Sequence, residues 1–149
     1  MRYKALIHKS CIDLLEIKID VIKKKTASIV QALKSETKNT AGDKHETSRA
    51  MLQLEREQSG QKIAEYKSYL EILNNINYQN LNTVVSLGAL VYTAHLNFYL
   101  AIPIGEIKIR NQNFYGISLK SPIGSLLLGK KSGDEISFRD QTFTILKIE

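Results

Sequence analysis

The stretch AGDKHET, residues 41–47, separates two long segments in which apolar residues recur at helical spacing. The first segment runs from about Ser10 to Lys38, and the second runs from about Glu46 to Leu73. Between them, Ser, Thr, Asn and Gly cluster at residues 35–43, which is typical of a turn. Antiparallel packing would bury the narrow apolar stripe of each segment. The sequence therefore predicts an α-helical hairpin whose exposed tip is formed by residues 42–47, hereafter the hairpin tip.

The apolar residues that would form the seam of this hairpin follow a spacing of three and four. In the first segment they are Ile12, Leu15, Ile19, Ile22, Ile29 and Leu33, with Thr26 in the remaining position. In the second segment we expect a first stripe and a last stripe, separated by a polar middle with a weak seam: Ala50, Met51 and Leu54, then Ile63, Tyr66, Leu70 and Leu73.

After Leu73 the pattern changes to short runs of β type. Strands are expected at residues 83–85, 89–92, 98–102, 106–110, 115–119, 135–138 and 142–148. Between them, Ser121 as N-cap, Pro122 at the first helical position and Gly129 after the last frame one short helix. The fold class is therefore predicted as α+β, with the hairpin at residues 1–79 and an antiparallel β domain with one short helix at residues 80–149.

Two carboxylates at the hairpin tip are the leading candidates for chemistry. Asp43 and Glu46 stand three residues apart at the start of the second helix. One interpretation is a capping box, in which each side chain accepts a hydrogen bond from a backbone amide. The other is a pair of oxygen ligands for a divalent cation, and two carboxylates supply only part of a Mg²⁺ shell. From the residues alone both interpretations stay open.

The rest of the composition excludes several classes of site. Cys11 is the only cysteine, so an internal disulfide and a Cys-based zinc site are excluded. The three histidines, His8, His45 and His95, have no spacing typical of a metal-ligand pair. The net charge of +6 permits contact with a polyanion without requiring it, and the basic run at residues 23–25 is interpreted as a solvated helix face.

The segment between Glu71 and Glu106 contains no charged residue, which raises the question of a membrane span. It nevertheless carries several side chains that are costly in lipid: Asn82, Ser86, Thr93, His95, Asn97 and Pro103. The start of the chain also lacks the pattern of a secretory signal peptide. We therefore expect a cytoplasmic protein without a membrane partner.

Two motifs resemble one known family. The run SPIGSLLLGKKSGD, residues 121–134, is similar to the C-terminal pattern S-P-[IL]-[AG]-x-x-L-[IL]-G-K-x-x-G-D of the bacterial transcript-cleavage factors GreA and GreB. The run GDKHE, residues 42–46, resembles the family's hairpin tip, G-D-[LM]-x-E. With the order of hairpin and β domain, the resemblance covers nearly the whole chain. It implies that the β domain is FKBP-like.

The resemblance also implies a function. In that family the hairpin tip enters the secondary channel of RNA polymerase, where its Asp and Glu help hold a catalytic Mg²⁺ and an attacking water for cleavage of backtracked RNA. By position it assigns these catalytic and metal-binding roles to Asp43 and Glu46, shared with the polymerase. It implies that the chain has no cofactor of its own and is not itself an enzyme. The expected partners are RNA polymerase and, beyond it, nascent RNA.

Three alternatives remain. The first is a Gre-like regulator that occupies the channel without stimulating cleavage. The second is a coiled-coil module for protein interaction, in which Asp43 and Glu46 only cap the helix. The third is a peptidyl-prolyl isomerase, suggested only by the FKBP-like fold, and the chain has no tryptophan to floor a proline pocket. The oligomeric state is not determined by the sequence.

Overall fold

The computed structural model describes the backbone of residues 2–38 and 42–149, and the side chains of residues 2–35 and 46–149. Two long helices precede a six-stranded sheet and one short helix, which confirms the predicted α+β class. In chain order the elements are α1 (Tyr3–Lys38), α2 (Gly42–Asn74), β1 (Leu90–Thr93), β2 (Asn97–Leu100), β3 (Gly105–Ile109), β4 (Gln112–Ile117), α3 (Pro122–Leu127), β5 (Glu135–Phe138) and β6 (Gln141–Ile148).

The chain divides into two compact units. The first, the sheet unit, contains residues 1–13 and 70–149, and the second, the hairpin unit, contains residues 14–69. The domain boundary predicted between residues 79 and 80 stays a prediction. Within the described helices, none is long and apolar enough to cross a membrane.

Helix α1 is longer than the sequence pattern predicts, because it begins at Tyr3 and not near Ser10. Its first turns belong to the sheet unit, where Ile7 and Cys11 are fully buried. Burial against the sheet explains the earlier start, since tertiary packing stabilises helix turns that the three-four repeat does not reach. Helix α2 likewise begins at Gly42, four residues before the predicted start.

The predicted seam of α1 is confirmed. In the hairpin unit Leu15, Ile19, Ile29 and Leu33 are buried, and Ile22 and Thr26 are half-buried. The hydroxyl of Thr26 donates a hydrogen bond to the carbonyl oxygen of Ile22 at 2.9 Å, which satisfies this polar side chain within its own helix.

The first half of the predicted α2 seam is wrong. Ala50 is exposed, and Met51 and Leu54 are 61% and 53% exposed. The half-buried positions are instead those of Arg49, Leu52, Glu55, Ile63 and Tyr66, and Ser59 is buried.

The continuity of α2 explains this correction. A three-four repeat counted backwards from Leu73, Leu70, Tyr66 and Ile63 reaches residues 59, 56, 52 and 49. Three of these positions are buried or half-buried, and at the fourth Arg56 is exposed while its neighbour Glu55 is half-buried. The helix is unbroken from Gly42 to Asn74, so its apolar C-terminal half fixes the rotation of its N-terminal half. Met51 and Leu54 form a local apolar stripe, but that stripe is out of phase with the seam.

The sheet has the strand order β3-β4-β2-β1-β6-β5. Neighbouring strands in the sheet pair antiparallel, except that β2 and β4 pair parallel with Phe98 opposite Tyr115. Six of the predicted strands form, with ends within a few residues of the prediction. The run at residues 83–85 does not form a strand, and only Val84 makes an isolated bridge, to Lys131.

The two faces of the sheet bury different partners. On one face, the sheet packs against Leu127 of α3 in a hydrophobic core. The other buried residues of this core are Val85, Ala89, Val91, Phe98, Leu100, Ile136, Phe143 and Ile145, and Ile117 and Ile123 pack against it partly buried. On the opposite side, the rings of Tyr3 and His8 from α1 meet Phe114 and Tyr99, so the start of α1 covers this face.

Helix α3 begins as its sequence predicts. The Oγ of Ser121 accepts a hydrogen bond from the Gly124 amide at 3.1 Å and donates to the Ser118 carbonyl oxygen at 2.6 Å. Pro122 occupies the first helical turn. Gly124 itself packs against the backbone, because a Cβ there would overlap the Ser118 carbonyl oxygen and lie 2.8 Å from Ser121 Oγ.

After α3, the chain turns twice before β5. Gly129 and Gly133 have positive φ angles of 81° and 93°, which glycine adopts without steric cost. A carboxylate oxygen of Asp134 accepts a hydrogen bond from the Lys131 amide at 2.8 Å and so closes the second turn. Each glycine of the run SPIGSLLLGKKSGD therefore has a structural reason in this fold.

The phase of α2 can be tested by truncating two leucines that lie two residues apart. Leu52→Ala should lower the free energy of unfolding by about 1–2 kcal/mol, because Leu52 is half-buried at the seam. Leu54→Ala should change it by no more than about 0.5 kcal/mol, because Leu54 is exposed. Urea unfolding followed by circular dichroism measures both. A larger loss in Leu54→Ala would contradict the observed rotation of α2.

The contact of Gly124 predicts a second difference in stability. Gly124→Ala should destabilise the protein by about 1–3 kcal/mol, because the added methyl group meets backbone that cannot move freely. Gly60→Ala is the matched control, since a Cβ at Gly60 would have no neighbour within 4 Å and Gly60 lies inside α2. That variant should gain about 0.5–1 kcal/mol through helix propensity. Equal melting temperatures for the two variants would refute this account.

Candidate functional site

The hairpin tip begins helix α2. Asp43 and Glu46 both lie in the first turns of this helix, which starts at Gly42. At a spacing of three residues, helical positions are neighbours on the same side. The Glu46 side chain is exposed. The side chains of Asp43, Lys44 and His45 lie outside the residues that the structure describes, so the choice between capping and metal binding stays a prediction.

The chemistry of the two carboxylates fits a divalent cation in part. Carboxylate oxygens are the ligands that Mg²⁺ prefers, but the ion takes about six oxygens and usually keeps several waters. A pair at Asp43 and Glu46 would therefore need ligands from another molecule. Among the side chains described, at residues 2–35 and 46–149, no group of three or more His, Cys, Asp or Glu could hold a metal ion.

The structure also describes His95 and Ser121, which the sequence analysis names. His95 is exposed in the turn between β1 and β2, where its amide donates to Thr93 Oγ1 at 3.3 Å. Ser121 caps α3 and is engaged by Ser118 and Gly124, so its hydroxyl serves the fold and not a reaction.

The structure shows one cluster of ionisable side chains that the sequence analysis does not predict. Lys4, His8 and Cys11 are buried on one side of α1, and all three belong to the sheet unit. His8 Nδ1 lies 2.7 Å from the hydroxyl of the buried Tyr99, and the His8 ring lies 4.8 Å from that of Tyr78. The spacing of four and then three residues is the signal that could have revealed this face, had α1 been extended to Tyr3.

Lys4 anchors the loop that follows α2. Its Nζ donates to the carbonyl oxygen of Asn80 at 2.8 Å and to Oδ1 of Asn82 at 3.4 Å. Burial lowers the pKa of Lys4, and the charge of Glu149 opposes that shift. Lys4 thus ties the start of α1 to the linker before β1.

Burial also makes the cluster chemically inert. It raises the pKa of the Cys11 thiol to about 12, so the thiolate needed for nucleophilic attack is absent at neutral pH. Burial is also the main cause of the raised pKa of the Tyr99 hydroxyl, and Cys11 adds to it. With Cys11 and Tyr99 fully buried and both protonated, the cluster supports the fold and is not a candidate active site.

Comparisons with known proteins give structural neighbours alone. A scan against protein families finds no match, and a search of curated proteins finds none. Among solved structures, the chain is similar to GreA factor homolog 1 (Gfh1) of Thermus thermophilus at 17% identity and a TM-score of 0.35, over 92% of this chain and 93% of that one. It is also similar to Thermus aquaticus Gfh1 at 17% identity and a TM-score of 0.34, over 94% of each chain. Likenesses of this size support no conclusion about activity or partners.

The buried His8 predicts that stability falls at acidic pH. Its pKa is lowered from 6.5, chiefly by burial and then by the charge of Lys4, so the unfolded chain takes up a proton that the folded chain resists. The stability due to neutral His8 is complete above pH 6.5 and is lost as the pH falls from there through the lowered pKa. Urea midpoints at a series of pH values across this window measure the slope.

Two variants separate His8 from other acid effects. His8→Asn removes the titrating ring and should flatten the dependence of the urea midpoint on pH, although the variant also loses packing contacts of the ring. Tyr99→Phe removes the hydrogen bond of 2.7 Å between Tyr99 and His8 but leaves His8 buried. The urea midpoint of this variant should therefore still fall at acidic pH. If His8→Asn kept the slope of the parent protein, another group would be responsible.

Proposed function

We propose that this chain is a Gre-like transcription factor that binds RNA polymerase and inserts its hairpin tip into the secondary channel. The observation that carries the proposal is the position of two motifs in one chain. GDKHE opens α2 at the break between the long helices, and SPIGSLLLGKKSGD spans α3 and the turns into β5. Each motif thus occurs at the place that the family resemblance gives it.

The contacts of the second motif support this proposal. The residues of this motif are required by the local structure. Ser121 caps α3, Gly124 packs closely against backbone, and Gly129 and Gly133 have positive φ angles. A match at these positions therefore reflects a shared way of building the helix and its exit. It supports a similar β domain more than it supports a shared partner, which is why the polymerase must be tested directly.

In this proposal Asp43 and Glu46 are the functional residues. They would contribute carboxylate oxygens to a Mg²⁺ held mainly by the polymerase, and the ion would activate water for phosphodiester hydrolysis. The start of α2 supports this role because its backbone is helical from Gly42 and the Glu46 side chain is exposed, while the nuclease activity would belong to the polymerase. The chain then has no cofactor of its own.

A second candidate function is favoured by the residues between and after the carboxylates. Where the family has Leu or Met after the Asp, this chain has Lys44, and Thr47 follows Glu46 in place of Asn. A lysine next to Asp43 lowers the local negative charge and competes with a cation. These residues favour a regulator that occupies the channel without stimulating cleavage. If polymerase does not bind and a pull-down recovers other proteins, the alternative of an interaction module, in which Asp43 and Glu46 cap α2, is favoured.

The test is RNA cleavage in a purified, backtracked elongation complex. The full chain should shorten the RNA faster than the polymerase alone, and Asp43→Asn/Glu46→Gln should reduce that stimulation to the intrinsic rate. These variants keep the shape of each side chain and one acceptor oxygen that can still cap the helix, but they remove the charge that a metal requires. Polymerase binding, measured in parallel, should be retained.

A matched control removes two carboxylates elsewhere in the hairpin unit. Glu16 and Glu57 are both exposed, so Glu16→Gln/Glu57→Gln makes the same change in net charge. This control should cleave like the parent chain. Binding without cleavage by the parent chain would favour the channel-occupying regulator, and absence of binding would overturn the proposed function.

A further inference from the structure

Three hairpin turns lie at the same end of the sheet. Strands β1 and β2, β3 and β4, and β5 and β6 form three antiparallel pairs. Strands β2 and β4 run parallel, and β1 is antiparallel to both β2 and β6, so β2, β4 and β6 share one direction. The turns that precede these three strands therefore meet at one edge, hereafter the turn edge. It combines residues 94–96, 110–111 and 139–140.

The middle turn is recessed between the other two. Thr93 lies opposite Ile145, and β5 and β6 continue for four more residue pairs, to Phe138 opposite Gln141. At roughly 3.3 Å per residue this hairpin extends about 13 Å further. On the other side, β3 and β4 pair as far as Ile109 and Gln112, one or two pairs beyond the recessed turn. The strands β4 and β6 are three strand spacings apart, roughly 14 Å.

Each of the two projecting turns, at residues 110–111 and 139–140, begins with an arginine in an unfavourable backbone conformation. Arg110 and Asn111 have φ angles of 48° and 65°, and Arg139 and Asp140 have 51° and 63°. Two successive residues with positive φ define a type I′ turn, which favours Asn or Gly, and a long side chain there is unusual. The same exception occurs at both projecting turns, and turn chemistry gives no reason for it. Strain of this kind often accompanies function.

Aromatic rings lie next to these exposed cations. The guanidinium of Arg110 lies 5.9 Å from the ring centre of Tyr3, and that of Arg139 lies 5.0 Å from the ring centre of Phe138. His95 is exposed in the recessed turn, with its ring 6.2 Å from that of Phe143. Arg110 with Tyr3 lies toward the face that α1 covers, whereas His95 and Arg139 lie toward the other face, beside Phe143 and Phe138, so these groups are spaced along the turn edge from one face to the other. Asp140 is the only carboxylate among the residues of the three turns.

We propose that the turn edge binds single-stranded nucleic acid. Arg110 and Arg139 would contact phosphates, and the exposed ring of His95 would stack on a base between them. Exposed cations spaced along one end of the sheet, with an exposed ring between them, are features that sequence-tolerant binding to single strands uses. An acidic protein surface would use the cations but would leave the rings without a role. The proposal does not depend on polymerase binding, since it concerns the sheet unit alone.

Fluorescence anisotropy with the full chain tests the proposal. The probes are labelled oligouridylate and oligo(dT) of about 12 nucleotides, titrated at roughly 50 to 200 mM salt. Arg110→Asn/Arg139→Asn should weaken binding by about tenfold at the lowest salt and reduce the salt slope by about 1.4, because two phosphate contacts are lost. Asparagine suits a type I′ turn, so this variant should fold at least as well as the parent chain. His95→Ala should weaken binding by about fivefold or more.

The matched control removes two cations from the opposite end of the same unit. Lys130 and Lys131 precede β5, so Lys130→Gln/Lys131→Gln makes the same change in net charge away from the turn edge. It should retain most of the affinity and the salt slope. Equal weakening in the two double variants would show that only net charge matters, and this would overturn the proposal. The proposal also fails if neither probe binds, or if polyglutamate binds as tightly with the same dependence on Arg110 and Arg139.

Discussion

The hairpin depends on the continuity of α2, which is one unbroken helix from Gly42 to Asn74. A continuous helix of 33 residues, with Gly60 as its one interior glycine, cannot rotate its two halves independently. The apolar residues from Ile63 to Leu73 therefore determine which side faces α1 throughout. The consequence is a seam with Ser59 buried and Leu52 half-buried, while Met51 and Leu54 face outward. The N-terminal half of α2 therefore contributes less apolar burial than its composition suggests. In the same hairpin unit, α1 contributes the buried side chains of Ile29 and Leu33.

Local chemistry explains which parts of the fold could be predicted from the sequence. Capping and turn residues act over a few positions, so the N-cap Ser121 and the turn at Gly133 and Asp134 are recognisable directly. Periodicity likewise reveals α1, because its seam repeats without interruption. Two of the differences between prediction and structure have non-local causes. The phase of α2 is imposed from the far half of the helix, and the parallel pairing of β2 with β4 joins strands that are separated by β3.

The ionisable residues considered for function also divide into those that the sequence predicts and those that it does not. The position of Asp43 and Glu46 near a helix start follows from the sequence, because the cluster of turn residues before them is a local feature. The burial of Lys4 and His8 does not follow, since it depends on the sheet that covers them. That burial separates the two sets of ionisable groups by chemistry: Glu46 is exposed, whereas Cys11 and Tyr99 are held protonated inside the sheet unit. Of the two sets, only the hairpin tip has an exposed carboxylate that an external ligand could reach.

The arginines of the turn edge show how this sheet can tolerate local strain. Each projecting hairpin is anchored by a buried aromatic residue, Phe114 on β4 and Phe143 on β6. These anchors keep the register of both hairpins even though Arg110 and Arg139 are poor residues for their turns. A turn that is secured by packing further along its strands is free to vary in sequence, so stability alone would allow Asn or Gly at either position. The presence of a long cation at both turns is therefore better explained by what the side chain contacts than by the conformation of the turn.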